Sequence, residues 1–473
     1  MEKFFKLNEN STTVKTEVVA GLTTFMTMAY IIALNPNLLT NFDVGSPLWN
    51  GAFLATCVAS FIACMVMALY ANKPFALAPG MGLNNFFAVV CANLVAMTGM
   101  TYVASFQAAL CIILIEGVVF FVLGIFNVRE KIVNAIPLGV RAGIGPAIGV
   151  MLMNIGLGSN VGIYTADGGP FYVMRDFFGA MTPSVIAGAM GDGYPEMVLT
   201  VVTMFVGLIA IAALAQRGFK AAVLLGMLVA CVIYWGGELL ILGNNPFASL
   251  ATASFVPPVK DMVETTFFKF NFSGLLDAGV FTVITLVITF CMIDMFDTIG
   301  TLVGTASRAN MLDEEGNMPG MKECLMADAI GTVAGACLGT STVTTFVESA
   351  SGVEAGGRTG LTALTTGILF LACMFLAPIA AIIPAAATSA ALIYVGVLMV
   401  ANLKNIDFTD LTQVLPTALM LISMPVSGSI GHGIGLGMIS YTAIKLFTGK
   451  GKEVSAVTYV ISLIFLIKFF AVV

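Results

Sequence analysis

The sequence predicts an all-α polytopic membrane protein of 14 transmembrane segments arranged as a 7+7 inverted repeat, in which segments 3 and 10 are each broken into a strand and a helix. Three observations carry that expectation. The 473 residues are 59% hydrophobic and 10% charged, with a mean hydropathy of +1.00, so the chain is too apolar to solvate itself as a soluble globule. Its apolar stretches are separated by connections whose basic residues fall on alternate sides. Two stretches in corresponding positions of the two halves carry residues that an uninterrupted helix would not use.

Hydrophobic stretches of roughly 17 to 25 residues place segments over 18–38, 50–70, 74–97, 103–125, 137–157, 196–215, 221–242, 276–302, 323–339, 340–357, 360–382, 384–401, 410–427 and 429–447. Charge provides an independent check. The N-terminus and every second connection carry fifteen of the 20 Lys and Arg residues, Arg129 and Lys131 among them, whereas the opposite connections carry only Arg175, Lys260 and Lys269. That bias orients the N-terminus toward the cytoplasm and suits a cytoplasmic (inner) membrane. The apolar stretch Val454–Phe470, interrupted by Lys468, is short for a span, and a C-terminal helix along the interface over 454–473 is favoured over an additional span.

Other classes are disfavoured by composition. No basic run suggests nucleic acid, and the net charge of −6 reveals little, because the sign that matters is local to each connection. The nine cysteines lie in or beside apolar segments without CxxC spacing and read as small buried hydrophobes, so neither a metal nor a cofactor is expected. The first 17 residues mix Lys3, Lys6 and Lys15 with Glu2, Glu9 and Glu17 and contain no short apolar core, so no removable signal peptide is expected.

The tenth segment is the centre of interest. Thr340 to Gly357 reads T-S-T-V-T-T-F-V-E-S-A-S-G-V-E-A-G-G: a β-branched hydroxyl run, one carboxylate at Glu348, then small residues. Non-helical backbone at membrane depth is tolerated only where it is buried in protein or lines a cavity. We therefore expect an extended half-strand over Ser341–Val347 that leads into a short helix with Glu348 at its N-terminus, the kind of discontinuous segment that forms transporter binding sites. The third segment matches in kind, because Pro74 and Pro79 forbid a regular helix before Gly80, and a helical run with Asn84 in its first turns follows.

The eighth segment, F-C-M-I-D-M-F-D-T-I-G-T, puts Asp294 and Asp297 on one helical face. A charge at bilayer depth costs about 2.5 to 3.5 kcal/mol even on insertion scales. Two acids on one helix, with Glu348 as a third, are therefore expected to face the interior, and at least one is a candidate proton carrier. Among the apolar segments only Arg141 offers an obvious basic neighbour. Carboxylates that accept N–H donors, an Asn amide and the flat face of Phe75 suit a small, planar, neutral molecule with several N–H groups, such as a nucleobase. Glu116 and Asp328 could each be a bundle hydrogen bond or a coupling group. His432, in the run G-H-G-I-G-L-G, reads as a helix-packing residue, and the acidic D-E-E at 313–315 as a solvated loop.

Five stretches, G-L-T-T-F-M-T-M-A-Y-I-I-A-L-N-P (21–36), A-P-G-M-G-L-N (78–84), D-M-F-D-T-I-G-T-L (294–302), L-M-A-D-A-I-G-T (325–332) and G-T-S-T-V-T-T-F-V-E-S-A-S-G-V-E-A-G-G-R-T-G-L-T (339–362), give the chain a family look over nearly its whole length. It resembles the AzgA-like purine permeases, the adenine, guanine and hypoxanthine branch of the nucleobase cation symporter-2 or nucleobase-ascorbate transporter superfamily. The resemblance implies a core domain (1–125 and 276–382) and a gate domain (126–245 and 383–448), with the core moving as an elevator. It implies a purine nucleobase bound between segments 3 and 10 by Glu348 and Asp294, with Asn84, Phe75 and Ser349 completing the substrate site. Asp297, with Asp294, is implied in proton coupling, and a homodimer is common in the wider superfamily.

Two other readings are weaker. An anion exchanger on the same fold is disfavoured by three pocket acids without a basic partner. An intramembrane aspartyl protease, the enzymatic alternative, needs carboxylates facing each other from two helices, whereas Asp294 and Asp297 share one and the G-D-G at 191–193 reads as a loop. The expected protein is a transporter, not an enzyme.

Overall fold

The computed structural model describes residues 2–126, 137–157, 194–251, 253–308, 311, 318–427 and 430–471. Arg129, Lys131, Arg175, the G-D-G at 191–193 and the D-E-E at 313–315 lie outside these residues. In chain order the principal elements are α1 (Val14–Met28), α2 (Ile31–Leu39), α3 (Pro47–Val66), β1 (Leu77–Pro79), α4 (Met81–Thr98), α5 (Tyr102–Ile125), α6 (Leu138–Leu157), α7 (Tyr194–Gln216) and α8 (Ala222–Gly237). There follow α9 (Val259–Thr265), α10 (Phe272–Asp277), α11 (Val280–Arg308), α12 (Met321–Leu338), β2 (Val343–Thr345), α13 (Ser349–Glu354), α14 (Gly360–Ala372), α15 (Ala385–Val400), α16 (Leu411–Ser427), α17 (Ile430–Phe447) and α18 (Ala456–Ala471).

Among the described residues nine helices are long and apolar enough to cross a membrane, and three shorter apolar helices accompany them. Large hydrophobic side chains on their outer faces are exposed, Ile209, Val232 and Ile422 among them, as lipid-facing positions require. This is a multi-pass helical membrane protein.

Boundaries differ from expectation where local chemistry intervenes. The first helix begins at Val14, four residues early, because the Thr13 side chain accepts from the Thr16 N–H and caps it. The eighth segment begins at Val280, not 276: Gly279 takes φ +89 and separates α11 from α10. The connection before it, where no segment is expected from the sequence, contains α9 and α10, helices of 7 and 6 residues, too short to show a hydrophobic period.

The chain divides into two compact units, one of Met1–Ile136, Phe255–Ala377 and Ile467–Val473, the other of Pro137–Ser254 and Pro378–Leu466. In the second unit Met197, Val201, Met204, Ala386 and Ile393 form a core cluster. There α6 and α15 approach so closely at Gly149 and Gly396 that a Cβ on either glycine would lie 2.5 Å from the other's carbonyl oxygen. Gly433 and Gly437 on α17 likewise admit Met424 and Met420 from α16, so the glycine run around His432 is a packing face. The C-terminal helix α18 is joined to α17 by hydrogen bonds between Thr442 and Ser462 (2.8 Å) and from Ser462 to the Met438 carbonyl (3.1 Å).

The first unit holds the broken segments. Pro74 and Pro79 keep residues around Leu77–Pro79 extended, and β1 pairs antiparallel with β2 in the register Leu77↔Thr345, Ala78↔Thr344 and Pro79↔Val343. The pairing is lengthened by Gly80 N–H to Thr342 O (3.0 Å) and Phe346 N–H to Ala76 O (3.0 Å). Because the strands are antiparallel, α4 and α13 leave opposite ends of the ribbon, each with its N-terminus toward it.

A two-stranded ribbon has two outer edges, and inside a membrane protein water does not satisfy them. Side chains do. Along β1 the Cys64 thiol accepts from the Leu77 N–H (3.2 Å) and donates to the Leu77 carbonyl (3.3 Å). Along β2 the Thr332 hydroxyl of α12 donates to the Val343 carbonyl (3.1 Å). Just before β1, Ser349 Oγ accepts from the Ala76 N–H (3.0 Å). Cys64 thus has a hydrogen-bonding function that the reading of cysteines as small hydrophobes does not include.

Glu17 is the second anchor of this unit. It is completely buried and accepts from the backbone N–H groups of Arg358 (2.9 Å) and Thr359 (3.2 Å) and from the Thr362 hydroxyl (2.6 Å), capping the start of α14 from α1. The fully buried carboxylates among the described residues, Glu17, Glu116, Asp294 and Asp328, all belong to the first unit.

Removing the Cys64 thiol strands a buried N–H, at a cost of about 1 to 3 kcal/mol. Purified Cys64→Ala should therefore unfold at lower temperature than wild type and Cys64→Ser should recover part of the loss; an alanine variant as stable as wild type would contradict the edge-capping role.

Candidate functional site

Alternation along the ribbon gives it two unlike faces. Val343 packs on α12, where Gly331 and Gly335 leave room for it. Ala78 and Thr344, cross-strand partners, point the other way, and Gly80 comes so close that a Cβ there would lie 3.0 Å from Thr344 Oγ1. Thr344 donates to Asp297 Oδ2 at 3.4 Å, so this small-residue face is turned to α11.

At one end of the ribbon stand Phe75, Ser349 and Glu348. Glu348 occupies the N-cap position of α13 and is partly exposed, whereas Phe75 is completely buried. Glu348 Oε1 accepts from the Tyr30 hydroxyl at 2.7 Å, and Asp297 lies in the neighbourhood of this pair. Asn84 lies at the other end. Its Nδ2 donates to the Pro79 carbonyl (3.1 Å), and its Oδ1 accepts from the Ser341 hydroxyl. The ribbon's three residue pairs, at about 3.3 Å each, separate the two groups. Of the expected substrate residues, Glu348, Ser349, Phe75 and Asn84 are therefore brought to one ribbon but not to one point, Asn84 and Ser349 each bond backbone of the ribbon or beside it, and Asp294 lies on α11.

The two aspartates of α11 also differ. Asp297 is partly exposed; Asp294 is completely buried. The Thr298 hydroxyl lies 3.2 Å from Asp294 Oδ1 and 2.9 Å from Asp328 Oδ1, linking α11 to α12. A hydroxyl has one proton, so it donates to one of these carboxyl groups at a time. Glu116 of α5 accepts from the Thr342 hydroxyl at 2.7 Å and so holds the extended backbone just before β2. Arg141, the basic residue noted in the sequence, belongs to the second unit.

Tyr30, Thr298 and Thr342 were not among the expected site residues. Tyr30 had a legible signal, since a phenol inside an apolar span must find a hydrogen-bond partner when buried. The partner itself is 318 residues away.

The chain matches the sequence profile of the Permease family, Xan_ur_permease, over residues 15–437. It is 39% identical over 469 residues to a putative permease of Methanocaldococcus jannaschii, covering 99% of this chain and 98% of the other. It is 37% identical to the adenine permease AdeP of Escherichia coli (99% and 95% covered) and 36% identical to the guanine/hypoxanthine permease PbuG of Bacillus subtilis (99% of each). Among solved structures, the transmembrane domain of the cyanobacterial bicarbonate transporter BicA is similar with a TM-score of 0.60 at 15% identity, over 88% of this chain and 96% of that one. The murine solute carrier 26 family member A9, an anion transporter, gives 0.58 at 13% identity over 92% and 68%. At such identities the likeness concerns the fold alone. With the family profile spanning most of its length, the chain belongs to the Permease family and is a membrane transporter, not an enzyme.

Proposed function

We propose that this permease imports purine nucleobases, hypoxanthine, guanine or adenine, together with protons across the cytoplasmic membrane. The observation that carries the reading is the pair of partly exposed carboxylates, Glu348 and Asp297, beside a small-residue ribbon face inside a membrane protein. Such carboxylates accept N–H groups, which a purine ring offers in its own plane, and the relatives named as adenine and guanine/hypoxanthine permeases support this ligand class.

In this reading Glu348 and Asp297 meet the base, and Asp294, fully buried and linked through Thr298 to Asp328, holds the coupled proton. Phe75 and Ser349 shape the Glu348 end, while Asn84 acts by holding Ser341 and Pro79 in place. The 14 segments form a 7+7 inverted repeat with a cytoplasmic N-terminus, supported by the alternation of basic residues. The unit that contains the ribbon is the core and the other is the gate, and transport follows an elevator mechanism in which the core carries the base. The division of the chain into two compact units supports this assignment. A homodimeric assembly belongs to the same proposal.

Uptake of labelled hypoxanthine, guanine and adenine into cells without purine permeases of their own tests the reading. At least one should accumulate, accumulation should collapse with a protonophore, and excess bicarbonate or sulfate should not compete. Uptake that survives the protonophore would remove proton coupling; no uptake of any purine, with the protein at the membrane, would remove the substrate class. A hydrogen bond to a charged group contributes about 1.5 to 3 kcal/mol, so Glu348→Gln should weaken half-saturation roughly tenfold or more. Unchanged transport would exclude Glu348 from the site.

A further inference from the structure

Tyr30 sits in the joint between α1 and α2. The chain there keeps helical angles, φ −58 and ψ −26 at Tyr30, but tightens: the Ile32 N–H reaches the Ala29 carbonyl (3.2 Å) and the Ala33 N–H the Tyr30 carbonyl (3.3 Å), both three residues back. The phenol is only 2% exposed. Its hydroxyl lies 2.7 Å from Glu348 Oε1, at the edge of the range for a hydroxyl donating to an ionised oxygen.

The frame around this bond is tight. Thr27 and Ser351 are hydrogen-bonded at 3.1 Å, one turn from Tyr30 and from Glu348 respectively. Gly352 of α13 is pressed onto α1, where a Cβ would come within 2.0 Å of Thr24 Oγ1 and 2.7 Å of the Ala20 carbonyl. With α1 and α13 locked in this way, the phenol is aimed at the carboxylate by packing. Glu348 sits in a turn at a helix start, so its side chain has freedom that the phenol removes. An ionised carboxylate has two oxygens and about four acceptor positions. A donor on Oε1 therefore fixes the group and leaves Oε2 able to accept from a ligand.

We propose that Tyr30 is a positioning residue of the binding site: by donating to Glu348 Oε1 it orients the carboxylate, so that a ligand N–H is recognised by a Tyr30–Glu348 pair and not by Glu348 alone. This rests on the reading of Glu348 as an acceptor of purine N–H groups. The first helix thereby becomes part of the recognition machinery assigned above to the ribbon and α11.

Tyr30→Phe removes the hydroxyl and keeps the ring, so packing against α13 is retained. The concentration dependence of hypoxanthine uptake should show half-saturation raised about tenfold, the effect of one hydrogen bond to a charged group, with maximal rate per folded transporter within about twofold of wild type. In Glu348→Asp, whose shorter side chain withdraws the carboxylate, the same tyrosine change should add less than about twofold, because coupled residues are non-additive. Unchanged half-saturation in Tyr30→Phe, with wild type active, would overturn the inference and leave the purine reading standing. A fall in the amount of folded protein with half-saturation unchanged would assign Tyr30 to packing and also overturn it. If wild type transports no purine, the underlying reading fails and this inference fails with it.

Discussion

Backbone that leaves the helix inside a membrane protein must find a partner for every N–H and carbonyl, and in this chain that requirement organises the first unit. Two prolines break the third segment, a β-branched hydroxyl run breaks the tenth, and the two extended pieces satisfy each other by antiparallel pairing. What pairing leaves over is taken up by side chains from three directions: Cys64 from the second segment, Thr332 from α12 and Ser349 from the start of α13. Asn84, Ser341, Thr342 and Glu116 secure the end where β2 begins. The ribbon is held by five helices at once, α3, α4, α5, α12 and α13, which explains why so much of the unit's buried polarity gathers around it.

A rigid ribbon has a chemical consequence. It carries small residues, Ala78, Gly80 and Thr344, on the face turned to α11, so no bulky ribbon side chain stands between that face and Asp297. The carboxylates then divide by environment: Glu348 and Asp297 are partly exposed, while Asp294 and Asp328 are buried around one threonine hydroxyl. Charge at this depth is costly, and the proposed coupling of a neutral planar solute to a proton rests on this separation between partly exposed and buried acids.

Much of this was legible in the chain. Pro74, Pro79 and the run from Thr340 to Glu348 announce broken segments, because proline and hydroxyl-rich β-branched stretches are poor choices for an uninterrupted span. The placement of Glu348 at a helix start followed from the small residues after it, and the strand itself, Val343–Thr345, lies inside the expected Ser341–Val347. What was not legible depends on distant partners. Glu17 reads as one more charge in a polar N-terminal stretch, yet it is completely buried because its hydrogen-bond partners lie more than 340 residues away. Asn84 reads as a ligand contact, but only the register shows that its amide reaches Pro79 and Ser341 at the end of the ribbon away from Glu348. Cys64 fits its apolar segment so well by composition that nothing local distinguishes it from a packing residue, and the phenol of Tyr30 announces the need for a partner without saying that it is Glu348.

In the proposed function carboxylates beside the ribbon receive the base, and equilibrium binding tests this without the complications of transport. Hypoxanthine, guanine and adenine would be titrated calorimetrically into the purified wild-type protein and into Asp297→Asn and Glu348→Gln. Wild type should bind at least one purine saturably, and each variant should bind it about tenfold or more weaker, as loss of a hydrogen bond to a charged group requires. Binding of undiminished strength in both variants would contradict it and place the base elsewhere.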